Sequence, residues 1–269
     1  WWLVRSDSST ASAGESLYQF DTADFHSLAF DPILADTVYF VHHGGLKVSN
    51  DGGENWDDTS LTGVDAMQLG LPTSNPNRRY AAGHDVFYVS GDGGVSWQPQ
   101  DNDLPGTDLH SFTTSPSDAM RLYASPVGQG LFTSADGGTT WQPIASPAAG
   151  GASALVVDPS DPLHVFAGVG NGVSESFDGG VTWQPRTAPS GRVVSLAIAP
   201  TDLLTLYAGT DQGVWRQSGD SAWERLSVTT SGAVLALAVN PNQTEQLALV
   251  DQEGKYYRSD DAGLTWAER

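Results

Sequence analysis

The chain reads as an all-β protein, a six-bladed β-propeller of four-stranded antiparallel blades, on three observations. An octet of the form Ser-x-Asp-x-Gly-x-[Thr/Ser/Asn]-Trp recurs along it. The tryptophans that close these segments, Trp56, Trp97, Trp141, Trp183, Trp223 and Trp266, lie 40–44 residues apart. Each interval holds the same succession of short apolar runs divided by turn residues. A fixed period in this range marks a repeat architecture, and four short strands per period marks a propeller blade.

The elements follow in order. A first strand is predicted in each repeat from an alternating run that ends near proline: "FHSLAFDP" (25–32), "AMQLGLP" (66–72), "LHSFTTSP" (109–116), "ASALVVDP" (152–159), "VVSLAIAP" (193–200) and "VLALAVNP" (234–241). A second run comes next, such as "TVYFVHHG" (37–44) and "RRYAAGHD" (78–85). A third strand, "GLKVS" or "GLFTS", leads into the octet, and a fourth begins at the tryptophan. One parity of the first strands holds Leu28, Leu69, Phe112, Leu155, Leu196 and Leu237. The other holds Ala29, Gly70, Thr113, Val156, Ala197 and Ala238. Alternate residues of a strand face opposite ways, so a large face is set to meet a small one on the next blade. Ring closure has two candidates for the last fourth strand: "TWAER" (265–269) at the C-terminal end, or "ESLYQF" (15–20) ahead of blade one. Residues 15–269 are thus assigned to one propeller and residues 1–14 to an N-terminal linker or processed end.

Composition narrows the partners. Thirty glycines and only 16% charged residues suit short strands and tight turns. Thirty-two acids against 12 basic residues give a net charge of −20, which lacks the basic footprint that nucleic acid or an anionic membrane surface requires. Absence of cysteine excludes disulfides and thiolate sites. The opening "WWLVRSDSSTASAG" reads as an end left after a signal peptide or a membrane anchor, leaving room for a membrane tether upstream of residue 1.

Five octets are well formed: "SNDGGENW" (49–56), "SGDGGVSW" (90–97), "SADGGTTW" (134–141), "SFDGGVTW" (176–183) and "SDDAGLTW" (259–266). A degenerate copy, "RQSGDSAW", spans 216–223. They resemble the Asp-box, or BNR repeat, found in sialidases, sortilin-type receptor propellers, xyloglucanase-type glycosidases and photosystem II stability factors. The whole-chain pattern, with "FHSLAFDP", "HHGGL" and "GHD", looks most like bacterial secreted BNR-repeat proteins labelled glycosyl hydrolase-like. That resemblance implies an extracellular, periplasmic or cell-surface protein. The octet residues themselves suit a structural role. Asp51, Asp92, Asp136, Asp178 and Asp261 can accept from backbone N–H groups of their own turns, glycine supplies the unusual backbone angles, and Trp56, Trp97, Trp141, Trp183 and Trp266 can pack over the loop.

Function is expected on the opposite, upper face. The loops into the first strands and out of the second strands both open there. His26 and His110 start first strands, His42 and His43 end the second strand of blade one, and His84 ends that of blade two. His164 alone falls elsewhere and reads as an ordinary residue. Acids accompany the five: Asp24, Asp65 and Asp108 share the column before the first strand, Asp85 follows His84, and Asp211 and Asp251 stand in the His43 column of blades five and six. Imidazoles with carboxylates can bind a divalent transition metal such as Zn or Cu, and carboxylates can orient the imidazoles. The same set can contact a glycan or a protein segment, or supply general acids and bases. A sialidase resemblance would imply three inward arginines and a Tyr–Glu pair, whereas Arg78, Arg79 and Arg121 precede second strands on the lower side. A xyloglucanase resemblance would imply two large propellers with paired carboxylates, and this chain holds one. Two functions stay open: a binding propeller whose upper face takes a metal, sugar or protein segment, and a glycosidase acting through Asp24 and Asp108.

Overall fold

A computed structural model describes residues 25–147 and 151–269. "ESLYQF" and Asp24 lie outside the described residues. Blade one comprises β1 (Phe25–Phe30), β2 (Val38–His42), β3 (Gly45–Ser49) and β4 (Asp57–Thr62). Blade two comprises β5 (Ala66–Gly70), β6 (Arg79–Gly83), β7 (Val86–Ser90) and β8 (Gln98–Pro99). Blade three comprises β9 (Leu109–Thr114), β10 (Leu122–Pro126), β11 (Leu131–Ser134) and β12 (Gln142–Ile144). Blade four follows with β13 (Ala154–Val157), β14 (Val165–Val169), β15 (Gly172–Ser176) and β16 (Gln184–Pro185). Blade five holds β17 (Val193–Ala199), β18 (Thr205–Thr210), β19 (Gly213–Ser218) and β20 (Glu224–Arg225). Blade six holds β21 (Val234–Val239), β22 (Leu247–Asp251), β23 (Tyr256–Ser259) and β24 (Ala267–Glu268). Each blade is one antiparallel sheet whose strands pair in sequence order, giving an all-β, six-bladed propeller. The six first strands surround the axis and line a central cavity of about 170 Å³.

The core is divided among the six interfaces between blades. At the seam of blades six and one, Leu28, Phe30, Phe40 and Trp56 pack against Ala236, Ala238, Val250 and Tyr256. Between blades five and six, Leu237, Leu247 and Leu249 meet Ala197, Ala199 and Tyr207. The large face of each first strand thus turns toward the preceding blade and its small face toward the following one; large meets small as the alternation predicts, and the direction comes from the packing. This pairing lets neighbouring sheets interdigitate at interior density. The ring closes with the C-terminal residues: β24 pairs with β23 through Tyr257 and Glu268. Side chains bridge the seam, with Asn240 Nδ2 donating to Ala35 O at 3.0 Å and Tyr256 Oη to Gly52 O at 3.2 Å.

The five well-formed octets repeat one hydrogen-bond pattern on the rim opposite the histidine loops. In blade two the Ser90 hydroxyl donates to Asp92 Oδ1 (2.8 Å) and accepts from Gly94 N (2.8 Å). Asp92 also accepts from Ser96 N (2.9 Å) and Ser96 Oγ (2.6 Å). The second octet glycine also lets the turn press on the preceding blade. At Gly53, with φ +100°, a Cβ would lie 2.2 Å from the Tyr256 ring. The degenerate octet differs: β19 runs on to Ser218, and Gln217 Nε2 reaches Ser221 O at 2.7 Å in place of the Ser–Asp pair.

The octet carboxylates make an acid-stability prediction. Donation from Ser96 to Asp92, and from Thr140 to Asp136, holds each carboxyl at about 2, below the usual 3.8. Asp178 and Asp261 are lowered for the same reason by Thr182 and Thr265. A carboxyl lowered in the folded state contributes stability above its unfolded value, and that contribution is lost as pH falls through the folded value. The thermal midpoint should therefore fall steeply between about pH 4 and pH 2. Asp92→Asn should show a shallower fall than the parent chain in the same pH series, and an identical slope would count against the octets as its source.

Candidate functional site

The upper face gathers six of the predicted residues, His26, His43, Asp65, His84, Asp108 and His110, into one continuous cluster across blades one to three. Local backbone geometry explains how. The first strand of blade one pairs Phe25 with His42 and Ser27 with Val41, leaving His26 as an extra, bulged residue. Blade three does the same at His110, between Leu109 and Ser111. Met67 is the bulged residue of blade two. A bulge bends the strand and re-aims a side chain. The column His26/Met67/His110 is therefore the position at which the mouth of the ring receives its side chains.

His84 sits at the centre. Its N–H donates to Asp65 O (3.0 Å), and Asp85 N donates to Thr107 O (3.0 Å). A lone antiparallel bridge pairs His84 with Asp108. These bonds tie the loop after β6 to the entries of both β5 and β9. Gly83 makes the approach feasible, because a Cβ there would fall 2.1 Å from Asp65 O. Asp85 takes a left-handed conformation, φ 55°, and its carboxylate accepts from the Thr107 hydroxyl. It braces the loop beside the cluster.

The side chains form a chain of alternating imidazole and carboxylate. His43 Nδ1 lies 3.1 Å from Asp65 Oδ1. Asp65 Oδ2 lies 2.8 Å from His84 Nδ1. On the far side of that ring, His84 Nε2 lies 3.0 Å from Asp108 Oδ1 and 3.1 Å from His110 Nε2. His110 Nε2 lies 2.9 Å from the same Asp108 oxygen. The hydrogen bond to Asp65 pushes the His84 pKa above the usual 6.5, against the opposing effect of burial and with help from the charges of Asp65, Asp108 and Asp85.

This geometry has a specific chemical meaning. With Nδ1–H donating to Asp65, a neutral His84 presents a lone pair at Nε2. That lone pair faces a carboxylate oxygen, acceptor against acceptor. The arrangement is satisfied by a proton on His110 Nε2, which lies 3.1 Å from that lone pair and 2.9 Å from Asp108 Oδ1, by a second proton on His84, or by a cation among the three atoms. Tetrahedral zinc with bonds of 2.0–2.1 Å sets its donors roughly 3.3 Å apart. Separations of 2.9, 3.0 and 3.1 Å among His84, Asp108 and His110 need only a small expansion to match. Asp65 then plays the part of a carboxylate that fixes the tautomer of a ligating histidine. A second group, His26, His43 and Asp65, adjoins it, with donor atoms within 4.8 Å of one another.

The remaining predicted residues lie apart from the cluster. His42, the neighbour of His43 in sequence, turns away from it. Its ring stacks parallel on Phe40 (5.7 Å), its Nδ1 accepts from Gly44 N (3.0 Å), and burial, then Lys47, push its pKa down. Asp211 ties the loop after β18 to the entry of β17 by accepting from Arg192 N at 2.9 Å. Asp251 is fully buried and accepts from Ser231 N (2.8 Å), Glu253 N (3.0 Å), Lys255 N (3.1 Å) and Tyr257 Oη (3.3 Å). It serves the fold of blade six. The arginines are likewise engaged: Arg79 pairs with Asp31 at 2.7 Å, and Arg186 bonds both oxygens of Glu175. His164 is placed between Asp158 (2.9 Å) and Glu175 (2.8 Å) beneath blade four, a structural network that the sequence pattern did not disclose.

No family model and no curated protein sequence matches the chain. Solved structures do. The GH74 xyloglucanase from Xanthomonas campestris aligns with a TM-score of 0.65 at 20% identity, covering 91% of this chain and 45% of that one. YCF48 from Cyanidioschyzon merolae aligns with a TM-score of 0.60 at 17% identity, covering 91% and 84%. A structure of YCF48 bound to D1 peptide aligns with a TM-score of 0.59 at 20% identity, covering 94% and 83%. The chain spans less than half the length of the GH74 chains. At these identities the likeness is one of fold: the chain is a β-propeller built like those of GH74 enzymes and YCF48.

Proposed function

We propose that this chain is a secreted or cell-surface Asp-box propeller that works as a binding module, its upper face armed by a divalent transition metal held by His84, Asp108 and His110. The observation that carries the reading is the convergence of two imidazole nitrogens and one carboxylate oxygen from two blades within 2.9–3.1 Å. Two imidazoles and a carboxylate suit zinc, and imidazole-rich sites also take copper. Three protein donors leave a coordination position open. On a protein of net charge −20, a bound cation is what would let an acidic face accept an oxygen or carboxylate donor from a protein segment or a glycan. The structure of YCF48 with a peptide supports a protein segment as the class of partner.

The test is elemental analysis of protein purified without a His-tag or chelator, beside the His84→Ala/His110→Ala variant. The expected result is stoichiometric zinc or copper in the parent and its loss in a variant that keeps the parent's circular dichroism. Parent protein that stays metal-free after reconstitution would overturn the reading. The alternative is glycoside hydrolysis, favoured by the GH74 likeness in fold. It would use Asp108 with Asp24, the pair of acids that the sequence suggests. Release of reducing sugar from xyloglucan, abolished by Asp108→Ala, would support it.

A further inference from the structure

We infer that the upper face holds two cation sites rather than one, coupled through Asp65, with His26, His43 and Asp65 forming the second. The inference rests on the reading of His84, Asp108 and His110 as the first site, and extends it to residues that reading does not use.

The argument starts from the two oxygens of one carboxylate. Asp65 Oδ2 is committed to His84 Nδ1 at 2.8 Å. Its Oδ1 points the other way, to His43 Nδ1 at 3.1 Å. The His26 ring lies against the His43 ring with centroids 4.8 Å apart and planes tilted by 43°. Each of the three residues offers one donor atom within 4.8 Å of the other two. The second set again combines two imidazoles with a carboxylate, so it selects the same class of borderline divalent cation, zinc or copper. The donors of the first site already stand 2.9–3.1 Å apart, close to the spacing zinc requires, so that site is expected to fill first.

Asp65 makes the sites interdependent. Its negative charge beside Nδ1 raises the basicity of His84 as a ligand. A cation on Oδ1 neutralises that charge and stands close to the first cation. Both effects weaken the first site, and by thermodynamic reciprocity the first cation weakens the second equally. The sites are therefore expected to fill stepwise, with affinities separated beyond any intrinsic difference by a coupling factor of about 5–150.

The experiment is calorimetric titration of metal-stripped full chain with zinc sulfate, repeated with cobalt to read coordination from its visible bands. The parent should take two equivalents in two steps. His26→Ala should take one, with the tight step kept. His110→Ala should lose the tight step and keep one equivalent. Asp65→Asn should take one equivalent, bound roughly 10–100-fold more weakly than the parent's tight step. Each variant is checked for an unchanged thermal midpoint without metal. One equivalent in the parent, abolished by His110→Ala and untouched by His26→Ala, would overturn the second site while leaving the first. No binding in the parent would overturn both. Two equivalents in Asp65→Asn, at parent affinity, would remove Asp65 from its bridging role.

Discussion

Replacing Arg79 by methionine is expected to destabilise the propeller by about 3–5 kcal/mol, a large effect for a residue far from the upper face. Arg79 opens β6, and its Nη2 lies 2.7 Å from Asp31 Oδ2 with both side chains nearly inaccessible, 7% and 1% exposed. Tyr39 Oη donates to the same oxygen at 3.0 Å, and the guanidinium lies 5.0 Å from the centre of the Tyr39 ring. Asp31 Oδ1 accepts from Ile33 N (2.8 Å) and Leu34 N (2.9 Å). Burial alone would push the Asp31 pKa up. The two backbone donors and Arg79 outweigh it and hold the carboxyl below its usual range. Removing the guanidinium leaves a carboxylate buried without a counter-charge, the costly half of a broken pair. Asp31→Asn/Arg79→Met should recover part of the loss, because neither charge then remains. Urea denaturation at pH 7 measures both, and a loss under about 1 kcal/mol in the single variant would place this pair among those that contribute little.

Such a pair shows where sequence reading stops. The two residues lie 48 positions apart and belong to different blades. Asp31 stands in a column that repeats as Asp158 and Asn240, each before a proline, but Arg79 stands where the other blades carry valine or leucine, so the period was silent about the pair. The fold itself was legible because its cause is local and sixfold. Each blade needs a turn between third and fourth strands, and the octet supplies that turn in nearly the same residues each time. The alternation of large and small residues in β1, β17 and β21 likewise told that large meets small across each blade interface, though not which neighbour each face meets.

The candidate site was legible in its columns and illegible in its orientations. His26 and His110 share a column because both sit on a bulge, which period-two alternation cannot disclose. His42 and His43 are adjacent, yet one ends β2 against Phe40 and the other starts the turn that faces Asp65. The sequence put Asp251 in the His43 column, but Val234 pairs with Asp251 as Phe25 pairs with His42, and the longer turn after β22 buries it under four donors. Column membership places a residue at one end of a strand. Hydrogen bonds of the following turn decide whether its side chain reaches the mouth or folds into the blade.

Asp108→Ala should separate the two functions that the site can support. Zinc at a hundredfold its dissociation constant would stabilise the parent by about 2.7 kcal/mol, since it binds the folded chain. The variant loses one of the three donors of that site, so the same zinc concentration should stabilise it far less, by no more than the weaker second site supplies. Without zinc the two proteins should agree within about 0.5 kcal/mol, because the Asp108 side chain is half exposed. Its structural bond, Val127 N to Asp108 O at 3.0 Å, belongs to the backbone and survives the change. Equal stabilisation of both proteins by zinc would show that Asp108 is not a ligand. A hydrolase would give the opposite pattern, with turnover of a glycan lost in the variant and no zinc increment in either protein. The contrast is sharp because of what surrounds the carboxylate. Oδ1 lies within 3.0 Å of two imidazole nitrogens, where it serves a cation well. A general acid or base needs that oxygen turned instead toward a glycosidic bond or its attacking water.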